Sequence, residues 1–236
     1  MPNWTSCAPL IALCLALAGC SSGVTPPGPF YGLEGPSTVG GSNVRLDLAA
    51  GGGGGGCCGW PGGAGGGGVR LRAGLNDRVE LGASSLWLGH DYADFERPAG
   101  DRFHIGDLSG QLELKVAMQP GVGVVVGMGG GVTPIGAFVS PSVGLILGRS
   151  TPARIEPFGQ IRLALSQPIG PTGTVSGEDA GTVEGAAYVM GSGGVLIHFD
   201  DVWALGLEAG GGFIVPRGDG ELGGAGYLAA SMSVTP

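Results

Sequence analysis

Residues 108–126 read LSGQLELKVAMQPGVGVVV, and this stretch leaves the chain few folds to choose from. Leu108, Leu112, Leu114, Val116 and Met118 take the even positions, while Ser109, Gln111, Glu113 and Lys115 take the odd ones. Gln119-Pro120-Gly121 supplies a tight turn, after which Val122, Val124 and Val126 resume the alternation. Side chains on a strand point to opposite faces with period two, whereas a helix repeats every ~3.6 residues. The stretch is therefore a β-hairpin with one apolar face and one polar face.

The rest of the chain repeats this unit, for ten alternating segments in all: 43–50, 69–75, 78–89, the two arms of the hairpin, 136–148, 154–166, 183–199, 202–215 and 222–234. In the first, Val44, Leu46 and Leu48 alternate with Asn43, Arg45 and Asp47; in the seventh, Ile155, Ile161, Leu163 and Leu165 alternate with Glu156, Gln160, Arg162 and Ser166. The phase of the third blurs at Ser84-Ser85, where Leu86 and Leu88 change parity, and a β-bulge is expected there.

Connections after even-numbered segments are tight: Asn76-Asp77, Gln119 to Gly121, Arg149 to Pro152 and Asp200-Asp201. Those after segments one, three and seven are long: Gly51 to Gly68, His90 to Arg102 and Gln167 to Thr182. Short turns at one end and long loops at the other are the pattern of an antiparallel up-and-down β-barrel in an outer membrane, with the short turns periplasmic. The fold class expected is thus all-β, a barrel of about ten strands. An even strand number puts both ends of the barrel on the periplasmic side.

Alternation by itself does not say which face is inside. The polar parity carries Arg45, Asp47, Arg70, Arg72, Glu80, Glu113, Lys115, Glu156, Arg162, Glu184 and Glu208, interspersed with Gly123, Gly127, Gly129 and Gly144. Only 13% of residues are charged, too few for a solvated outer face. Both signs of charge and small glycines suit a crowded lumen, and a cluster of Arg70, Arg72, Glu113, Lys115, Arg162 and Glu208 is expected there. Its expected role is structural filling of a narrow barrel, with a narrow or gated pore as the alternative. Phe199 and Trp203, beside the Asp200-Asp201 turn, sit where an interfacial aromatic girdle belongs. The competing architecture is a soluble periplasmic β-barrel or sandwich. A net charge of −8 argues against nucleic acid as a partner; membrane lipid, and a small solute or surface partner at the long loops, are the partners expected.

Ahead of the barrel, Ala8 to Gly19 is an apolar run of signal-peptide length that closes on Leu17-Ala18-Gly19-Cys20. This resembles the lipobox of bacterial lipoproteins. The resemblance covers the leader alone and implies cleavage before Cys20, lipid on its thiol, and, with Ser21 following, sorting to the outer membrane. Residues 1–19 then form the signal peptide, 20–41 the lipidated cysteine with a tether containing Pro26, Pro27, Pro29 and Pro36, and 42–236 the barrel. By pattern, 43–234 resembles small outer-membrane barrels of the OmpA-like and porin-like type.

Candidate chemistry is thin. His90, Asp91, Asp94, Asp101 and His104 cluster around the long connection after the third segment and loosely resemble the acid/base pairs of omptin-type proteases; the plainer reading is a polar surface loop. Ser192 with His198 is the nearest match to the Ser/His pair of lipid A deacylases. Gly51 to Gly68 lacks the lysine and helix start of a phosphate loop and reads as a flexible loop. Within it, Cys57-Cys58 is a candidate vicinal disulfide or pair of free thiols. No cofactor and no metal site are expected.

Overall fold

The computed structural model describes residues 34–56, 63–91, 103–133, 136–149, 154–169, 185–217 and 222–236. Ten strands form: β1 (Val44–Gly56), β2 (Gly63–Asn76), β3 (Val79–Asp91), β4 (Phe103–Gln119), β5 (Val122–Thr133), β6 (Gly136–Gly148), β7 (Ile155–Ile169), β8 (Ala186–His198), β9 (Trp203–Pro216) and β10 (Gly223–Val234). Each pairs antiparallel with its neighbours in sequence, and β1 pairs with β10, so the sheet closes into a barrel and the sandwich alternative falls away. Closure satisfies every strand edge within the ring.

The alternation in the sequence becomes an inside and an outside. Apolar residues face outward on all ten strands, among them Leu48, Leu71, Leu81, Leu112, Val126, Leu145, Leu163, Val189, Leu207 and Leu228, and all are exposed. The opposite parity is buried: Arg45, Asp47, Arg70, Arg72, Glu80, Glu113, Lys115, Glu156, Arg162 and Glu208 face the lumen. The polar face of the 108–126 hairpin is thus the interior and its apolar face the outer wall.

The tight turns have chemical causes. Pro120 fixes the backbone at the first corner of the β4–β5 turn and Gly121 takes the second at φ 81°, a region that favours glycine. Asn76 caps the β2–β3 turn by accepting the Arg78 and Val79 amides on Oδ1, at 2.8 and 3.0 Å. Asp200 does the same for the Val202 and Trp203 amides, at 2.9 and 2.7 Å.

Two expectations are corrected. The glycine tract is largely wall and not loop: Gly51–Gly56 continues β1, Gly63–Gly68 opens β2, and Gly51 to Gly54 pair with Gly66 to Gly63. Glycine carries no side chain to show a period, but its backbone bonds to neighbouring strands like any other. Nor is there a bulge at Ser84-Ser85, which pair in unbroken register with Arg70 and Val69 on one side and Gln111 and Gly110 on the other. The strand runs straight, so Leu86 turns into the lumen at 5% exposure while Trp87 faces out at 41%. The irregularity against β4 lies further along, between Leu88 and Gly89.

Candidate functional site: a charged ring around Glu34

Residues 34–41, read from the sequence as the end of the tether, run inside the barrel mouth at the short-turn end. Thr38 Oγ1 donates to the Asp77 carbonyl at 2.9 Å, and the Gly41 amide to Asp77 Oδ1 at 3.3 Å. Slightly deeper, the Val39 amide donates to Glu80 Oε2 at 2.8 Å. A bend at Gly40 (φ 85°) and Ser42 (φ 66°) turns the chain back into β1. At the other end of the segment, Glu34 is fully buried among the lumen charges.

Its carboxylate is coordinated on both oxygens. Oε1 accepts from Arg70 Nη2 and Arg162 Nη2, each at 3.0 Å, while Oε2 accepts from Lys115 Nζ at 3.1 Å and lies 3.7 Å from Arg72 Nη1. Lys115, the chain's single lysine, also donates to the Gly35 carbonyl at 3.2 Å. Four cations from β2, β4 and β7 thus converge on one carboxylate supplied from outside the strands.

The wall charges also pair with one another. Glu113 bridges Arg70 and Arg162, the latter at 2.6 Å, and accepts from Gln111 Nε2 at 3.1 Å. Asp47 holds Arg72 through two bonds at 2.8 and 3.0 Å and accepts from Arg45 Nε at 3.0 Å. Glu80 faces Lys115 across the β3–β4 ladder, 3.6 Å away. Glycine makes room for the long side chains: a Cβ on Gly144 would lie 2.9 Å from Arg162 Cγ.

Burial alone would push the Glu34 carboxyl up, but Arg70, Lys115, Arg162 and Arg72 outweigh it and hold the group well below its ordinary value of 4.5. Because the value in the folded protein is lowered, the attraction is complete above the ordinary carboxylate range and is lost only as pH falls through the lowered value. Residues 34–41 are therefore expected to keep their hydrogen-exchange protection at pH 4.5 and lose it only on stronger acidification. Loss of protection already at pH 4.5 contradicts the geometry.

Of the residues singled out in the sequence, Arg70, Arg72, Glu113, Lys115 and Arg162 come together in this ring. Glu208 stands apart: it accepts from Gln160 Nε2 at 2.7 Å and Tyr227 Oη at 2.5 Å, and Gln160 in turn accepts from Arg162 of the ring. His90 and His104 are register partners on β3 and β4, and so belong to the strands and not to a loop. Asp94, Asp101, Cys20, Cys57 and Cys58 lie outside the described residues. Ser192 and His198 are not brought together: six residues along β8 separate them by about 20 Å. His198 instead places Nε2 3.4 Å from Glu156 Oε2.

Sequence reasoning missed Glu34 itself. It belongs to no alternating segment, and its partners lie 36 to 128 residues away. The one available hint was that Glu34 is the only acid between Cys20 and Asp47.

No protein-family model matches the sequence, and no curated protein does. Among solved structures, the N-terminal β-barrel domain of Pseudomonas aeruginosa OprF is 12% identical, with a TM-score of 0.38, over 84% of this chain and 98% of that one. Neisserial surface protein A is 14% identical at a TM-score of 0.37, covering 81% and 95%. The outer membrane protease OmpT from Escherichia coli is 9% identical at 0.35, covering 82% and 95%. Likenesses this distant carry no functional inference.

Proposed function

We propose that the protein is a lipid-anchored outer-membrane β-barrel with a structural or surface role, its lumen occupied at the short-turn end by its own N-terminal segment. The observation that carries this reading is the inversion of the usual burial pattern. Leu112 is 63% exposed and Leu228 68%, whereas Lys115 and Glu80 are each 1% exposed. A soluble protein does not leave a continuous apolar belt around its whole circumference in contact with water. A bilayer makes the same belt favourable and makes closure of the ring obligatory. Aromatic residues flank the belt at both ends: Phe199 and Trp203 are exposed beside the short β8–β9 turn, and Trp87 and Phe213 are exposed towards the opposite rim. Such girdles belong at the two membrane–water interfaces.

The anchor rests on Leu17-Ala18-Gly19-Cys20. It is consistent with the ring, because residues 34–43 enter β1 from the short-turn end, where a tether from the inner leaflet of an outer membrane would arrive. The test uses Cys20→Ala in the full chain. The variant is expected to stay in the outer-membrane fraction through high-salt and carbonate washes, to be released only by detergent, and to migrate differently on a gel before and after boiling. A folded Cys20→Ala protein free in buffer overturns the membrane barrel. An unchanged mass at the N-terminus of the wild-type protein overturns the anchor alone.

A further inference from the structure

We propose that residues 34–41 are a removable plug whose Glu34 carboxylate occupies an anion-binding site in the barrel, so that withdrawing the segment opens an anion-selective path through the lumen. The proposal rests on the membrane-barrel reading above and adds to it what the lumen admits.

Two independent observations carry it. The first is the charge inventory of the ring. Arg45, Arg70, Arg72, Lys115 and Arg162 face Glu34, Asp47, Glu80 and Glu113. The three wall carboxylates hold the arginines without help from the plug: Asp47 serves Arg45 and Arg72, and Glu113 serves Arg70 and Arg162. Lys115 would keep only its 3.6 Å approach to Glu80. The wall is thus built to stand alone, with Glu34 neutralising a surplus of positive charge. Without it, five cations face three carboxylates, and donors from Arg70, Arg162 and Lys115 are left converging on one point. That is the geometry for a carboxylate or another small anion. Among the described residues, Glu208 is held by Gln160 and Tyr227, and Glu156 lies near the turn end with its carboxylate against Gly35 of the segment.

The second observation is steric. The wall under the segment is recessed by glycine, and the segment packs into the recesses. A Cβ on Gly123 would meet Pro36 and nothing else among its nearest neighbours: the carbonyl oxygen at 3.1 Å, Cα at 3.4 Å and the carbonyl carbon at 3.6 Å. A Cβ on Gly74 would collide with the Gly40 carbonyl, and one on Gly148 would lie 2.8 Å from Pro36 Cδ. On the segment's own side, a Cβ on Gly35 would run into the Glu156 carboxylate. Charge and shape therefore fit the same eight residues, and neither fit contributes to the hydrogen-bonded ladder of the barrel.

The experiment compares full-length wild-type protein, Glu34→Gln and Gly123→Val in planar lipid bilayers, each first checked for folding by heat-modifiable migration. Glu34→Gln removes the charge that docks the plug. Gly123→Val leaves every charge in place and crowds out Pro36 with an added isopropyl group. Wild type is expected to insert and remain closed for most of the record. Each variant is expected to raise the open fraction by roughly tenfold or more, the scale of losing one charge-assisted interaction. In a KCl gradient the open variants are expected to show a reversal potential of the sign given by chloride permeation.

Insertion of both variants with no more conductance than wild type refutes the plug. Open variants that prefer potassium refute the anion site. Should Glu34→Gln fail to fold, Gly123→Val decides alone. Failure of the folded wild-type protein to insert refutes the membrane reading instead, which separates the two conclusions.

Discussion

Replacing Glu113 by leucine is expected to cost about 3–5 kcal/mol of stability, the scale for removing one partner from a buried ion pair. Glu113 is 5% exposed and accepts from Arg70, Arg162 and Gln111, so a leucine there takes one buried acceptor from each of two guanidinium groups and an amide. Arg162 keeps Glu34 and the Gln160 oxygen, and Arg70 keeps Glu34, which holds the loss within that range. Urea unfolding of the barrel in lipid vesicles, followed by tryptophan fluorescence, reads the effect. The double variant Glu113→Leu/Arg162→Leu is expected to lose less than the sum of its single variants, because each removes the other's unpaired charge; coupling for such neighbours is about 0.5–3 kcal/mol. Additive losses would mean that the lumen is wet enough to solvate both groups.

Leucine-to-arginine substitution on the outer wall reads the environment of the apolar face. Leu112 lies near the middle of β4, and Met118 lies beside the short turn; they are 63% and 62% exposed. In a bilayer, Leu112→Arg is expected to cost about 2–4 kcal/mol and Met118→Arg about 0–1 kcal/mol, since the penalty falls from the midplane to the interface. On a water-facing surface both would stay within about 0.5 kcal/mol. The same unfolding measurement in vesicles distinguishes the two cases, and equal small effects at both positions would remove the main support for a membrane protein.

How much of this was legible depended on whether side chains carried a pattern. Leu112 against Glu113 and Lys115 is enough to define a strand and its two faces, because burial on one side of a sheet selects alternate residues. Ten repetitions with tight turns after even segments then specify the barrel. Where side chains vanish, so does the signal: Gly51–Gly56 and Gly63–Gly68 are strands whose sequence cannot show a period. Leu86 misled for a different reason. Towards the long-loop end the described lumen residues include Leu86, Phe138, Tyr188 and Met190, so an apolar residue there marks the interior and not a change of phase. Arg70, Arg72, Glu113, Lys115 and Arg162 could be grouped because they share the polar parity. Glu34 could not, since its position follows from a three-dimensional complementarity between a non-repetitive segment and residues on three strands.

The bare glycine stretch gives the two ends of the barrel different mechanics. At the turn end, crossed arginine–carboxylate pairs tie β1 to β2, β2 to β4 and β4 to β7, forming a stiff collar. At the opposite rim, Gly51–Gly54 meets Gly63–Gly66 on one side and Gly53–Gly56 meets the Gly224–Tyr227 stretch on the other, with few side chains to interlock across the seam. Cross-strand side-chain pairs are what resist shear between neighbouring strands, and glycine backbones tolerate the widest range of dihedral angles. The rim can therefore ovalise and change its outline while the collar beneath keeps its shape, so a barrel gripped at one end remains pliant at the other.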